Sequence, residues 1–192
     1  MAILLLASLN SGCTAIIYPP DKLIDPQPIY LATYTVHSCV LLPAGNVYLD
    51  YSYGDWNYAA LHHHMPNDAV GALAISQDAA FERRIVMIDP HSGGPLLPDN
   101  PVELIRLYAD RDKIQHRIDE LEKRFQADIK LHRNDGMVMY VGADESEIFV
   151  KDPIHYGLTN NCNNLTADTL RALGYRVIGI PITNQFHIEA PP

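Results

Sequence analysis

Residues 29–53 read IYLATYTVHSCVLLPAGNVYLDYSY. β-Branched and aromatic residues dominate the stretch, and Pro43, Ala44, Gly45 and Asn46 interrupt it with turn chemistry. The reading is a strand over 29–42, a turn, and a second strand over 47–53, paired as an antiparallel hairpin. His37 falls inside the otherwise apolar first strand. In the second, Asp50 alternates with Tyr51, so one of the two must face away from the core.

Outward from this hairpin, residues 83–89 (RRIVMID) read as a strand. So do 137–141 and 147–150, which flank the turn residues of 142–144, and 175–181 makes a last strand. The clearest helix is 112–131. Its apolar residues Ile114, Ile118, Leu121, Phe125 and Ile129 are spaced 4, 3, 4 and 4, a single stripe at helical period. A second helix over 165–173 ends at Gly174, a C-terminal cap. Shorter helical pieces are expected at 67–76 and 102–108, an irregular crossing at 55–64, and a Gly- and Pro-rich loop at 91–101. This order gives an α+β fold with a mainly antiparallel sheet and helices packed on it.

Composition narrows the function. In 192 residues, 47% are hydrophobic and 19% charged, enough for one domain with a sizeable core. Lys and Arg number 14 against 23 Asp and Glu, a net charge of −9. Nucleic-acid binding and adhesion to anionic lipid both need a clustered positive field, so neither is expected. No apolar run approaches the roughly 20 residues that cross a bilayer. The three cysteines, Cys13, Cys39 and Cys162, make no disulfide framework. The adjacent His62, His63 and His64 cannot share one face of a helix or strand, and no metal-ligand spacing supports them, so neither metal nor cofactor is expected.

The stretch that carries chemistry is 155–174, HYGLTNNCNNLTADTLRALG. Cys162 sits where a loop gives way to a helix that Asn160 or Asn161 can cap. A thiol in the first helical turn faces unpaired backbone N–H groups and the positive end of the helix dipole. Both favour the reactive thiolate. The same N–H groups can hold an oxyanion. A nucleophilic cysteine also needs a base, and His37 is the histidine placed on a core element.

Two resemblances add to this reading. Residues 3–13, an apolar run that passes through small residues to Cys13, resemble a bacterial lipoprotein signal. That resemblance implies a signal over 1–12, lipidation of Cys13, a linker over 13–28 and a single domain over 29–192. It also implies a periplasm-facing place in the cell envelope, with membrane contact only through the lipid anchor. The second resemblance rests on TVHSCVLLP, then LDYSYGDWNY, then HYGLTNNCNNLTADTLRALG, in that order. These blocks are similar to the circularly permuted papain-like cysteine hydrolases. That scheme is shared by NlpC-like envelope hydrolases, permuted deSUMOylating-type peptidases and the lecithin:retinol acyltransferase group. The closest likeness is to an uncharacterised family of bacterial envelope proteins.

The resemblance implies a permuted papain-like fold whose first hairpin lies against the Cys162 helix. It makes Cys162 the nucleophile and His37 the general base. Asp50 or Asp55 would orient the imidazole, with His155 as a further choice. Asn161, Asn163, Tyr53 and Trp56 are the expected binding residues. The implied function is an envelope cysteine hydrolase of the amidase, peptidase or acyl-transfer type. Its substrate would be a peptidoglycan stem amide or a lipid-linked acyl group. The alternative is a non-catalytic envelope binding scaffold of the same fold. It is motivated by Cys39, which shares a strand face with His37 and can pair with Cys162 as a disulfide.

Overall fold

The computed structural model describes residues 14–61, 78–98, 100–141 and 145–189. Strands β2 (Pro26–Thr33), β3 (Ser38–Ala44), β4 (Val47–Asp55), β5 (Ala79–Met87), β6 (Glu103–Asp110), β7 (Val138–Val141) and β8 (Glu147–Asp152) form one sheet in the order β6-β2-β3-β4-β5-β8-β7. Every neighbouring pair in it is antiparallel. Helices α1 (Arg111–Leu131) and α2 (Cys162–Ala172) pack on it. A smaller sheet, ordered β10-β1-β9, joins β1 (Ala15–Tyr18), β9 (Arg176–Ile178) and β10 (Phe186–Ile188). The architecture is α+β and mostly antiparallel.

Period-two alternation sorts the side chains of the large sheet. Val40, Leu42, Tyr51, Tyr53 and Phe81 face the helices and form the main core with Ile114, Ile118, Leu121, Phe125 and Leu170. Tyr30, Ala32, Cys39, Leu41, Tyr48 and Val86 form a second cluster. The loop after β5 covers it, with Ile88 and Leu97 packed against the cluster and the Tyr48 hydroxyl donating to the Gly93 carbonyl at 3.2 Å. Tyr51 therefore faces the helix-side core, and Asp50 and Ser52 face the other way.

The turn at Gly45 closes the β3–β4 hairpin as expected, with φ +66° at Gly45 and Ala44 opposite Val47. Four elements differ from the sequence reading. The strand expected over 29–42 is two strands, split by a reverse turn in which the Tyr34 N–H donates to the His37 carbonyl at 2.7 Å. His37 is thus a turn residue at the head of β3. The helical piece expected at 102–108 is β6, since Ile105, Leu107 and Ala109 repeat every two residues and β6 pairs with β2 over its whole length. Residues 15–18 lie within the expected linker but form β1, whose Ala15 and Ile17 are fully buried in the main core. Residues 186–188 form β10, parallel to β1. The helix expected at 67–76, the histidine run at 62–64 and the signal with Cys13 lie outside the described residues.

Candidate active site

Helix α2 starts at Cys162, three residues earlier than the helical period of 165–173 indicates. The extension is made by a reciprocal cap. The Asn161 side chain accepts from the Asn164 N–H at 3.1 Å, and the Asn164 side chain accepts from the Asn161 N–H at 3.1 Å. Ser38, the first residue of β3, fastens this helix end to the sheet. Its hydroxyl donates to Asn163 Oδ1 at 2.7 Å, and its carbonyl accepts from the Thr166 hydroxyl at 2.8 Å. Asn163 Nδ2 also donates to the Ile182 carbonyl at 3.2 Å, and Asn184 Nδ2 donates to the Tyr34 carbonyl. The segment after β9 is thereby tied to α2 and to the turn that carries His37.

These ties bring the opening hairpin and the closing helix together at Cys162, which is 5% exposed. Its sulfur lies 3.9 Å from the Val36 carbonyl, beside the His37 imidazole, the Ser38 backbone N–H and the Tyr156 side chain. Burial alone would push the thiol up. The charge and hydrogen bond of His37, followed by the Ser38 and Tyr156 hydrogen bonds, outweigh it and hold the thiol below its usual value. Burial likewise pulls the imidazole down. The Cys162 sulfur, then Asp50 and Glu82, overcome that and raise His37 to about 9. Each partner shifts the other toward the imidazolium–thiolate form.

Behind His37 stands a buried polar cluster. His37 Nε2 is 3.3 Å from Ser52 Oγ, which donates to Asp50 Oδ1 at 3.0 Å. Arg84, directly opposite Asp50 on β5, reaches Asp50 Oδ2 at 2.9 Å. Burial first, and then the charge of Asp50, push the Cys39 thiol well up. Glu82, opposite Ser52, lies 4.0 Å from Arg84 and is raised to about 8, by burial first and then by Asp50. The Tyr34 ring sits beside His37, with centroids 5.9 Å apart.

The other expected site residues are placed as follows. Asp55 caps the π-helical turn Trp56–Ala60, accepting from the Tyr58 N–H at 2.8 Å, and its charge reaches Tyr156. His155 is exposed, and its carbonyl accepts from Asn160 Nδ2 at 2.8 Å. Asn161 and Asn163 are buried and spend their side chains on the cap and the α2–β3 join. The Tyr53 hydroxyl is held by Asp152, Ile154 and Asn160, and its ring stacks on Tyr156 at 6.1 Å. Trp56 is buried beside Ala60, Ala80 and Phe149. Tyr53 and Trp56 are both buried, Tyr53 against Tyr156 and Trp56 in a separate apolar cluster. Cys39 and Cys162 are both free thiols. Ser38 faces α2, so Cys39, next to it on β3, points away from that helix.

Sequence reasoning missed Ser52 and Tyr156. Ser52 was within reach, because i and i+2 on a strand share a face and Asp50 was already a candidate. Nothing in 155–161 marked Tyr156. Among the described residues no grouping of three or more His, Cys, Asp or Glu could hold a metal. No helix among them is long and apolar enough to cross a membrane. Comparison with family models, with curated proteins and with solved structures finds no significant match.

Proposed function

We propose that this chain is a cysteine hydrolase of the permuted papain-like type, acting on an amide or ester carbonyl. One observation carries the reading. Cys162, at the first position of α2, sits against the turn that carries His37, 3.9 Å from the Val36 carbonyl, and the charges of thiol and imidazole favour each other. The order of histidine before cysteine is the permuted one. His37 takes the thiol proton, and the thiolate attacks the carbonyl carbon. Asn161 engages the Asn164 N–H, which leaves the N–H groups of Cys162 and Asn163 to receive the oxyanion. The Tyr156 side chain, which helps to lower the thiol, can add a third donor. The imidazolium protonates the leaving amine or alcohol as the tetrahedral intermediate collapses to a thioester. Water, deprotonated by His37, then releases the acid and restores the thiol.

An envelope location with a lipid anchor at Cys13 belongs to the same proposal, and the substrate is a peptidoglycan stem amide or a lipid-linked acyl group. The loop segments beside Cys162 favour the acyl group. Residues 34–37, 157–161 and 180–184 contain no Asp, Glu, Lys or Arg, and present Val36, Leu158 and Ile180 exposed.

The test is acylation by p-nitrophenyl acetate, followed by intact-protein and peptide mass. One acetyl group is expected on Cys162. It should be absent in Cys162→Ala and form at least about tenfold more slowly in His37→Ala, the equivalent of one pKa unit. A wild-type protein that gains no acetyl at Cys162 would overturn the proposal in favour of a binding scaffold.

A further inference from the structure

The group touching the far nitrogen of His37 is a hydroxyl, although carboxylates were expected there. We propose that Ser52 is the positioning residue for His37, and that the buried Asp50–Arg84 pair fixes the direction of the Ser52 hydroxyl. This rests on the reading of Cys162 and His37 as a catalytic pair and adds to it the origin of the imidazole's tautomer.

A serine hydroxyl has one hydrogen to give. Asp50 is 1% exposed and forms an ion pair with Arg84 at 2.9 Å, and as the acid of that pair it can only accept. Ser52 Oγ lies 3.0 Å from Asp50 Oδ1 and gives its hydrogen there. Toward His37 Nε2, at 3.3 Å, the same oxygen can therefore only accept. The neutral imidazole is thus fixed with its hydrogen on Nε2. Its lone pair is on Nδ1, the nitrogen left for the Cys162 proton. Reversing the hydroxyl would put the ring hydrogen on Nδ1 and leave a buried carboxylate oxygen without its donor. Arg84, bonded to the other oxygen of Asp50 at 2.9 Å, holds the carboxylate in the orientation that requires the first arrangement. A neutral hydroxyl between carboxylate and imidazole also keeps Asp50 from forming a direct ion pair with His37.

The experiment uses the full chain and iodoacetamide as probe, with the rate of Cys162 alkylation followed against pH. The titratable and charged groups around the pair are Tyr34, Cys39, Asp50, Glu82, Arg84 and Tyr156. They are common to all variants compared. Ser52→Ala is expected to raise the midpoint of the profile by about one unit, which slows alkylation about tenfold on the acid side of that midpoint. Ser52→Thr, which restores a hydroxyl, should recover most of the rate. In a Cys162→Ala background, where no sulfur competes for the proton, the His37 ring nitrogens should show the Nε2–H tautomer by 15N NMR, and Ser52→Ala should lose that preference.

A Ser52→Ala protein with the wild-type profile and tautomer would overturn the positioning role while leaving the Cys–His pair standing. If His37→Ala also keeps the wild-type profile, the pair itself fails, and the role of Ser52 with it.

Discussion

Glu82 is a carboxyl group on β5 that shares Arg84 with Asp50. One guanidinium faces two acids in a buried cluster, and Asp50 has the closer contact. Burial, then repulsion from Asp50, keeps the proton on Glu82 up to about 8, against 4.5 for an ordinary glutamate. A folded-state value above the unfolded one means that the native protein binds the proton more tightly. The resulting stability is fully present below the unfolded value and is lost as pH rises through the folded one. The urea midpoint should therefore fall as pH increases from about 4.5 to 8, and the fall should be shallower in Glu82→Gln. An identical slope in the variant would mean that Glu82 is ionised across this range. His37, raised to about 9, adds a decline of the same sign at higher pH, so the comparison is cleanest on the acid side.

At the scale of elements, the start of α2 decides whether Cys162 is reactive. The Asn161–Asn164 cap places the sulfur in the first turn, and Ser38 binds that turn to β3. Loss of an Asn cap costs about 1 kcal/mol. Asn161→Ala should lower global stability by about that amount, read as a shift in the urea midpoint. It should also slow Cys162 alkylation more than so small a loss of global stability explains, because the first turn frays selectively. A normal alkylation rate in that variant would show that the Ser38 contacts alone suffice. The sequence disclosed the cap residues and the C-terminal Gly174, whose φ is +98°. It also placed Cys162 at the loop-to-helix junction, although the apolar period begins only at Leu165. Cys162, Asn163 and Asn164 carry no apolar period, and the extension exists because polar side chains find partners on β3. The same limit explains β6. A short stretch such as 102–108 fits both helical and strand periods, and only pairing with β2 selects one.

Over the whole molecule, Phe81 joins the large sheet to α1. It is fully buried, lies 6.0 Å from Phe125 and 6.1 Å from Tyr51, and is covered by the Arg124 guanidinium at 4.6 Å. Arg124 is itself held by Asp152 of β8 at 2.5 Å. Phe81→Ala should cost about 3–5 kcal/mol by loss of buried area and creation of a cavity. A denaturant series should show one cooperative transition at lower midpoint, with Cys162 alkylation rising at lower denaturant along with it. A second transition would mean that sheet and helices unfold separately.

The sequence by itself determined the α+β class, the β3–β4 turn at Gly45, the stripe of α1, and the two chemical groups worth watching, Cys162 and His37. These rest on local rules: period, turn residues and the chemistry of a helix start. Only the tertiary structure decided that His37 lies in a turn, that Ser52 and not a carboxylate touches its ring, that Tyr156 reaches the sulfur, and that β1 and β10 join the fold. Each of these depends on partners distant in the chain, such as Ser38 with Asn163 or Ala15 with Phe186. A contact of that kind leaves no periodic trace in a sequence, since the partner's identity is fixed by packing and not by spacing.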